Sequence, residues 1–143
     1  NDIPTIDEGN DVSLKVLVGK VKNISSAVQT YSPVSIFDVQ FAKPSLIDLD
    51  IPKNQTAMVY VIDGELKFHE DNQIARKGQM IYFDQSSDMI NLTSISPNGS
   101  YLVLAGEPLN EPVVRYGPFV TNTEGDMKQA MLDYQNGKMG TLS

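Results

Sequence analysis

The chain carries few side chains of the kind that do chemistry. It has one histidine, His69, and no cysteine. Without cysteine there is no thiolate nucleophile, no thiolate metal site and no disulfide framework. A Ser-His-Asp triad would have to use His69 as its base, and no Gly-x-Ser-x-Gly elbow occurs. In Leu66-Lys67-Phe68-His69 the apolar phase is Leu66 and Phe68, so His69 shares a face with Lys67. Opposite phases of a strand point to opposite sides of a sheet, which places His69 in solvent or at a hairpin end. Asp48 and Asp50 share one strand face, and paired carboxylates can do acid-base work. With no pocket partner beside them they read as a polar outer face. Glu70-Asp71-Asn72-Gln73 gathers oxygen ligands in a turn, but no calcium loop follows, and it reads as a solvated hairpin. Neither a Gly-x-Gly-x-x-Gly fingerprint nor a phosphate-binding loop is present.

The elements that must position these residues fit one domain of 143 residues. Hydrophobic residues make up 41% and charged residues 20%, enough apolar material to bury a core. The net charge of -7 argues against direct binding of double-stranded nucleic acid, which needs a basic face. No apolar run approaches the roughly 18 residues of a membrane span, and Asn1 opens no signal-peptide pattern. A cytoplasmic location without membrane contact is the expectation.

Residues 1–11 are polar, lack apolar periodicity and read as a linker or tail. Short β-branched or aromatic runs follow at 12–21, 34–41, 46–51, 57–63, 65–69, 79–83, 89–95 and 101–105. Turn signals such as Asp63-Gly64, Lys77-Gly78 and Pro97-Asn98-Gly99 punctuate them. Such spacing predicts an all-β sandwich or barrel. One helix is expected at about 124–136. Thr123 and Asp126 form a weak capping box, and Met127, Ala130, Met131 and Tyr134 lie on one stripe. Gly137 stands where a left-handed cap belongs.

One strand is apolar in both phases, Ala57-Met58-Val59-Tyr60-Val61-Ile62. A half-exposed antiparallel strand should alternate. Ala57, Val59 and Val61 are assigned to the core, near Leu66 and Phe68. Met58, Tyr60 and Ile62 must then lie under something else. That cover is either part of this chain or a second domain or subunit.

The segment Gly106-Glu107-Pro108-Leu109-Asn110-Glu111-Pro112-Val113-Val114-Arg115-Tyr116-Gly117-Pro118-Phe119-Val120-Thr121-Asn122-Thr123 resembles the signature of the C-terminal half of pirins. Asp133-Tyr134-Gln135-Asn136-Gly137-Lys138 is similar to that family's ending, and Val59-Tyr60-Val61-Ile62-Asp63-Gly64-Glu65 resembles the strand-turn-strand of a cupin. The resemblance implies an all-β fold, a cupin-type jelly-roll β-barrel with one C-terminal α-helix. Pirins carry two cupin domains, and this chain resembles the second. Residues 12–143 would then be a degenerate cupin domain and residues 1–11 the inter-domain linker. For the whole family the resemblance implies an iron-type metal in the N-terminal cupin. It implies quercetin 2,3-dioxygenase activity in several members and a nuclear transcription-cofactor role in a eukaryotic one.

The cupin metal pattern, laid on this sequence, finds no ligands. Anchored on Gly64, its glutamate position is Ala57 and its histidine positions are Ile51 and Lys53, or Asp50 and Pro52. Anchored on Gly78, its last histidine position is Met89, which is expected to fill the space of a metal. Mononuclear iron or zinc needs three or four convergent nitrogen or oxygen ligands. No metal or other cofactor is therefore expected in this chain, and no catalytic residue.

Pro108, Pro112 and Pro118 cannot donate to a ladder, so the stretch 110–122 reads as an ordered extended crossover. An ion pair between Glu111 and Arg115 is one expectation, and carboxylate binding by Arg115 another. Asn110, Glu111, Arg115 and Tyr116 either lock the crossover to the helix or form a docking strip. The expected role is a structural domain that packs on an N-terminal metal-binding cupin, or on a second copy as a homodimer. The alternative is an autonomous module whose barrel mouth binds a small ligand or whose surface binds a protein.

Overall fold

Alternation of β-branched and polar residues builds strands whose inward residues meet in one core. In a computed structural model, residues 3–9, 11–68, 73–83 and 89–140 are described. The strands are β1 Thr5–Gly9, β2 Val12–Val18, β3 Lys20–Val21, β4 Ile24–Ser25, β5 Val34–Phe41, β6 Ser45–Asp50 and β7 Thr56–Asp63. They continue as β8 Glu65–Phe68, β9 Gln73–Arg76, β10 Met80–Phe83, β11 Met89–Ser94, β12 Gly99–Gly106, β13 Val114–Tyr116 and β14 Phe119–Thr121, before the helix α1 Glu124–Gln135. The chain forms two compact units, residues 1–108 and 109–143.

The first unit holds a six-stranded sheet in the order β1-β2-β5-β12-β7-β10 and a four-stranded sheet in the order β6-β11-β8-β9. All pairings within both are antiparallel. The inward phases interlock in one core. Leu14, Phe37, Val59 and Val103 come from the larger sheet, and Leu49, Leu66, Ile90 and Leu92 from the smaller. Burying each such side chain contributes about 1.5–3 kcal/mol. Tyr101 joins this core against Phe41, with ring centroids 6.0 Å apart, and burial pushes its phenol pKa up. The sheets face each other without closing into a continuous hydrogen-bonded barrel, the open form of a jelly-roll sandwich.

Gly64 sits at the corner where the chain leaves the larger sheet after β7 and enters the smaller as β8. Its φ of 85° lies in the left-handed region, and a Cβ there would stand 2.9 Å from the Asn98 carbonyl oxygen. Only glycine fits both demands. The Asp63-Gly64 turn signal thus marks a passage between sheets rather than a paired hairpin.

The start of the chain differs from the expected linker or tail, because Thr5–Gly9 is the edge strand β1. Its one inward apolar residue, Ile6, pairs across from Leu14 and packs on the core. The rest is held by main-chain bonds, which carry no sequence pattern. The run expected at 12–21 breaks at Gly19, and β3 and β4 form a small separate hairpin.

In the second unit, β13 and β14 form a hairpin turned at Gly117 and Pro118, with Gly117 at φ 54°. The three prolines had argued against strands here, but each lies outside the paired residues. The helix matches its expected span closely. The Asp126 amide donates to Thr123 Oγ1 at 3.1 Å. At the other end Gly137, at φ 69°, and Lys138 donate back to Tyr134 and Asp133, closing the helix with a Schellman cap.

Candidate functional site

The strand β7 places Ala57, Val59 and Val61 inward, all buried as expected, with Leu66 beside them in the core and Phe68 packed on it. Its other phase faces out. Tyr60 lies across from Met80 on β10 and Leu102 on β12, while Met58 lies across from Tyr82 and Leu104. Tyr60 is 37% exposed, Ile62 43%, Met80 57% and Tyr82 66%. The outer surface of β12, β7 and β10 is therefore a continuous apolar face. Sequence alternation found Met58, Tyr60 and Ile62 but missed Met80 and Tyr82. The signal was present in Met80-Ile81-Tyr82-Phe83, which is also apolar in both phases. β10 is moreover an edge strand, and edges invite further pairing.

The cupin ligand positions come out differently. Ala57 and Ile51 are buried and offer no donor atom. Met89 does not fill an interior space, because it is 46% exposed. The register explains the correction. On β11, Ile90 and Leu92 point inward, while Met89 shares the outward phase with Asn91 and faces Asp50 of β6. Asp48 and Asp50 lie on the same outward phase of β6, where the Asn91 amide donates to Asp48 Oδ1 at 2.6 Å. Among the described residues no group of three or more His, Cys, Asp or Glu side chains gathers to hold a metal ion. The side chains at the cupin positions do not fit a mononuclear centre. His69 and the turn residues Glu70, Asp71 and Asn72 lie outside the described residues.

In the second unit the expected Glu111–Arg115 ion pair gives way to another partner. The Asn122 side chain donates to Glu111 Oε2 at 2.8 Å and to the Pro112 carbonyl at 3.0 Å. Asn122 thereby ties the stretch before β13 to the residue after β14, a tie that residue spacing did not reveal. Arg115 and Tyr116 stand exposed on β13, and Asn110 takes a positive φ of 53°. These residues belong to residues 109–143, whereas Met58, Tyr60 and Ile62 belong to residues 1–108.

Two facing antiparallel sheets in this order, with a corner glycine between β7 and β8, define a cupin-type jelly roll. The Pirin C-terminal cupin domain family matches residues 36–140, and the chain belongs to that family. Pirin-1 of Arabidopsis thaliana is 35% identical over 142 residues, which cover 97% of this chain and 49% of that protein. Pirin of Homo sapiens is 34% identical over 131 residues, covering 90% and 45%. The crystal structure of a quercetin 2,3-dioxygenase from Acinetobacter baumannii superposes with a TM-score of 0.87 at 30% identity, covering 99% of this chain and 49% of that one. The chain spans about half the length of the curated relatives it matches.

Proposed function

We propose that this domain is a scaffold that packs on a metal-binding cupin of the pirin type and holds no catalytic metal itself. The apolar outer face at Met58, Tyr60, Met80 and Tyr82 carries this proposal. A contiguous apolar patch of several hundred Å² marks an interaction site. The matched relatives are about twice as long as this chain, and that length supports our reading of a second cupin half as the occupant. Any quercetin 2,3-dioxygenase chemistry then belongs to that metal-binding partner. The scaffold contributes apolar burial, and the outward carboxylates of β6 stay solvated. The proposed location is the cytoplasm, or the nucleus in a eukaryotic cell.

Calorimetric titration against a folded, metal-loaded cupin half of a pirin relative tests this. A one-to-one complex is expected. Tyr60→Lys combined with Tyr82→Lys removes two aromatic anchors and should weaken it by at least about tenfold. Equal affinity for the variant, or no complex with the folded half, would overturn the proposal. Circular dichroism of the variant confirms that its fold is intact.

A further inference from the structure

Among the described residues, the six-stranded sheet ends in the edge strands β1 and β10, and the four-stranded sheet in β6 and β9. An open edge is a template for another strand, and natural proteins blunt it with charges, prolines or bulges. Three of these edges are blunted in that way. β1 follows Pro4, carries Asp7 and Glu8, and has its register broken between Asp7 and Gly9. β6 sets Asp48 and Asp50 outward, and β9 ends on Arg76 with Lys77 after it. β10 is Met80-Ile81-Tyr82-Phe83, with no charge, no proline and no shift of register along it.

The hydrogen-bonding phase of β10 decides which main-chain groups stand open. In an antiparallel ladder, successive residues bond alternately to one side and to the other. Val61 bonds toward β10, donating to the Gln79 carbonyl at 2.9 Å and accepting from the Gly78 N–H at 2.8 Å. Val59 and Ala57 share that phase of β7, so they bond to their register partners Ile81 and Phe83. Met80 and Tyr82 therefore turn their N–H and C=O groups to the open side. The far side of the sheet gives the same phase. The Glu107 N–H donates to the Pro33 carbonyl at 3.4 Å, which makes Gly106 and Val34 a non-bonded pair. Counting by twos along β12 then directs Leu102 to Tyr60, which leaves Val59 and Val61 for β10. Among the described residues no strand pairs with the open side of β10.

We infer that this edge pairs with β10 of a second copy, antiparallel about a two-fold axis at Ile81, so that the larger sheet runs on from one copy into the other. The strand is self-complementary in that register. Met80 meets the partner's Tyr82, Tyr82 meets the partner's Met80, and each pair exchanges both of its N–H···O=C bonds. Met80 and Tyr82 both lie on the exposed outer face, so each pair also sets a thioether against an aromatic ring, a favourable contact. No charged residue lies on the strand, so two chains of net charge -7 meet here without like charges opposed across the ladder. The two-fold operation uses up this edge in both copies, and the edge left over, β1, is a blunted one. The assembly closes at a dimer instead of growing into a fibre. A strand of 4 residues makes a small interface, so the dimer is weak. The pairing depends on main-chain groups at the edge, whereas the proposed scaffold role depends on outward side chains, so the inference stands apart from that role.

Amide hydrogen exchange of the native chain, followed by nuclear magnetic resonance from micromolar to millimolar concentration, tests the inference. Protection of the Met80 and Tyr82 amides should rise about fivefold or more with concentration, while the Ile81 amide, already bonded to β7, is protected throughout. A strict monomer at millimolar concentration would overturn the inference. So would association that leaves the Met80 and Tyr82 amides exchanging as they do in the dilute chain. A pair of variants gives a second reading. Met80 opens an edge strand with its N–H on the open side, the place where a sheet tolerates proline. Met80→Pro and Met80→Ala lose the same side chain, but only Met80→Pro loses the donor, one in each copy. Met80→Pro should therefore dimerise about tenfold or more weakly than Met80→Ala in analytical ultracentrifugation. Equal dimerisation by the two folded variants would overturn the inference. Circular dichroism checks their fold, and exchange in the native chain decides the matter if Met80→Pro does not fold.

Discussion

Replacing Ile90 by alanine is expected to destabilise the chain by about 2–5 kcal/mol, the usual cost of emptying a core position. The same change at its neighbour Met89 should cost less than about 1 kcal/mol, as at most exposed positions. Ile90 is buried to 4% exposure between the sheets and pairs across from Leu49. Met89 is on the outer phase opposite Asp50. The contrast follows from the two-residue period of a strand, in which a slip of one residue exchanges the faces. Met89→His should likewise leave stability nearly unchanged and create no metal site, since its neighbours across the ladder do not point into the core. Urea denaturation of the variants measures the difference directly. A larger loss at Met89 than at Ile90 would show that the register of β11 against β6 is shifted by one.

Without a partner on it, the outer face of β12, β7 and β10 should drive self-association. Domain interfaces within a chain commonly bury about 600–1,500 Å², and an exposed apolar patch of that order is sticky. A two-fold dimer is the simplest way for one patch to cover itself. The opposing force is the net charge of -7 on each copy. Charge repulsion is screened with a Debye length of about 10 Å at 0.1 M salt, whereas apolar burial is not screened. The dimer fraction should therefore rise with ionic strength, and light scattering from low to high salt follows it. Tyr60→Lys with Tyr82→Lys should hold the chain monomeric across the range. Both residues are outward and exposed, so the substitutions leave the core intact. A dimer that forms equally well in that variant uses another surface.

Much of this architecture was legible in the residues. β5, β7 and β12 are long, rich in apolar residues and contribute the centre of the larger sheet, so their composition reports their burial. The helix was legible because its caps are chemical, Thr123 at one end and Gly137 at the other. The edges were not. β1 buries only part of Ile6, and β9 buries only Ala75, so main-chain pairing rather than side-chain pattern defines them. The hairpin of β13 and β14 was obscured by prolines that lie just outside its ladder. The apolar outer face was half legible. Met58, Tyr60 and Ile62 announced themselves within one strand, but only the register of β10 against β7 brings Met80 and Tyr82 beside them.

That the cupin ligand positions here are occupied by side chains that do not bind metal, and that the domain serves as a scaffold, is tested most directly by metal content. Elemental analysis of the tag-free, dialysed chain for iron, zinc and nickel should find well under one metal per chain. The same sample should take up no oxygen in the presence of quercetin. A full equivalent of metal that survives dialysis, with metal-dependent oxygen uptake on quercetin, would contradict the account.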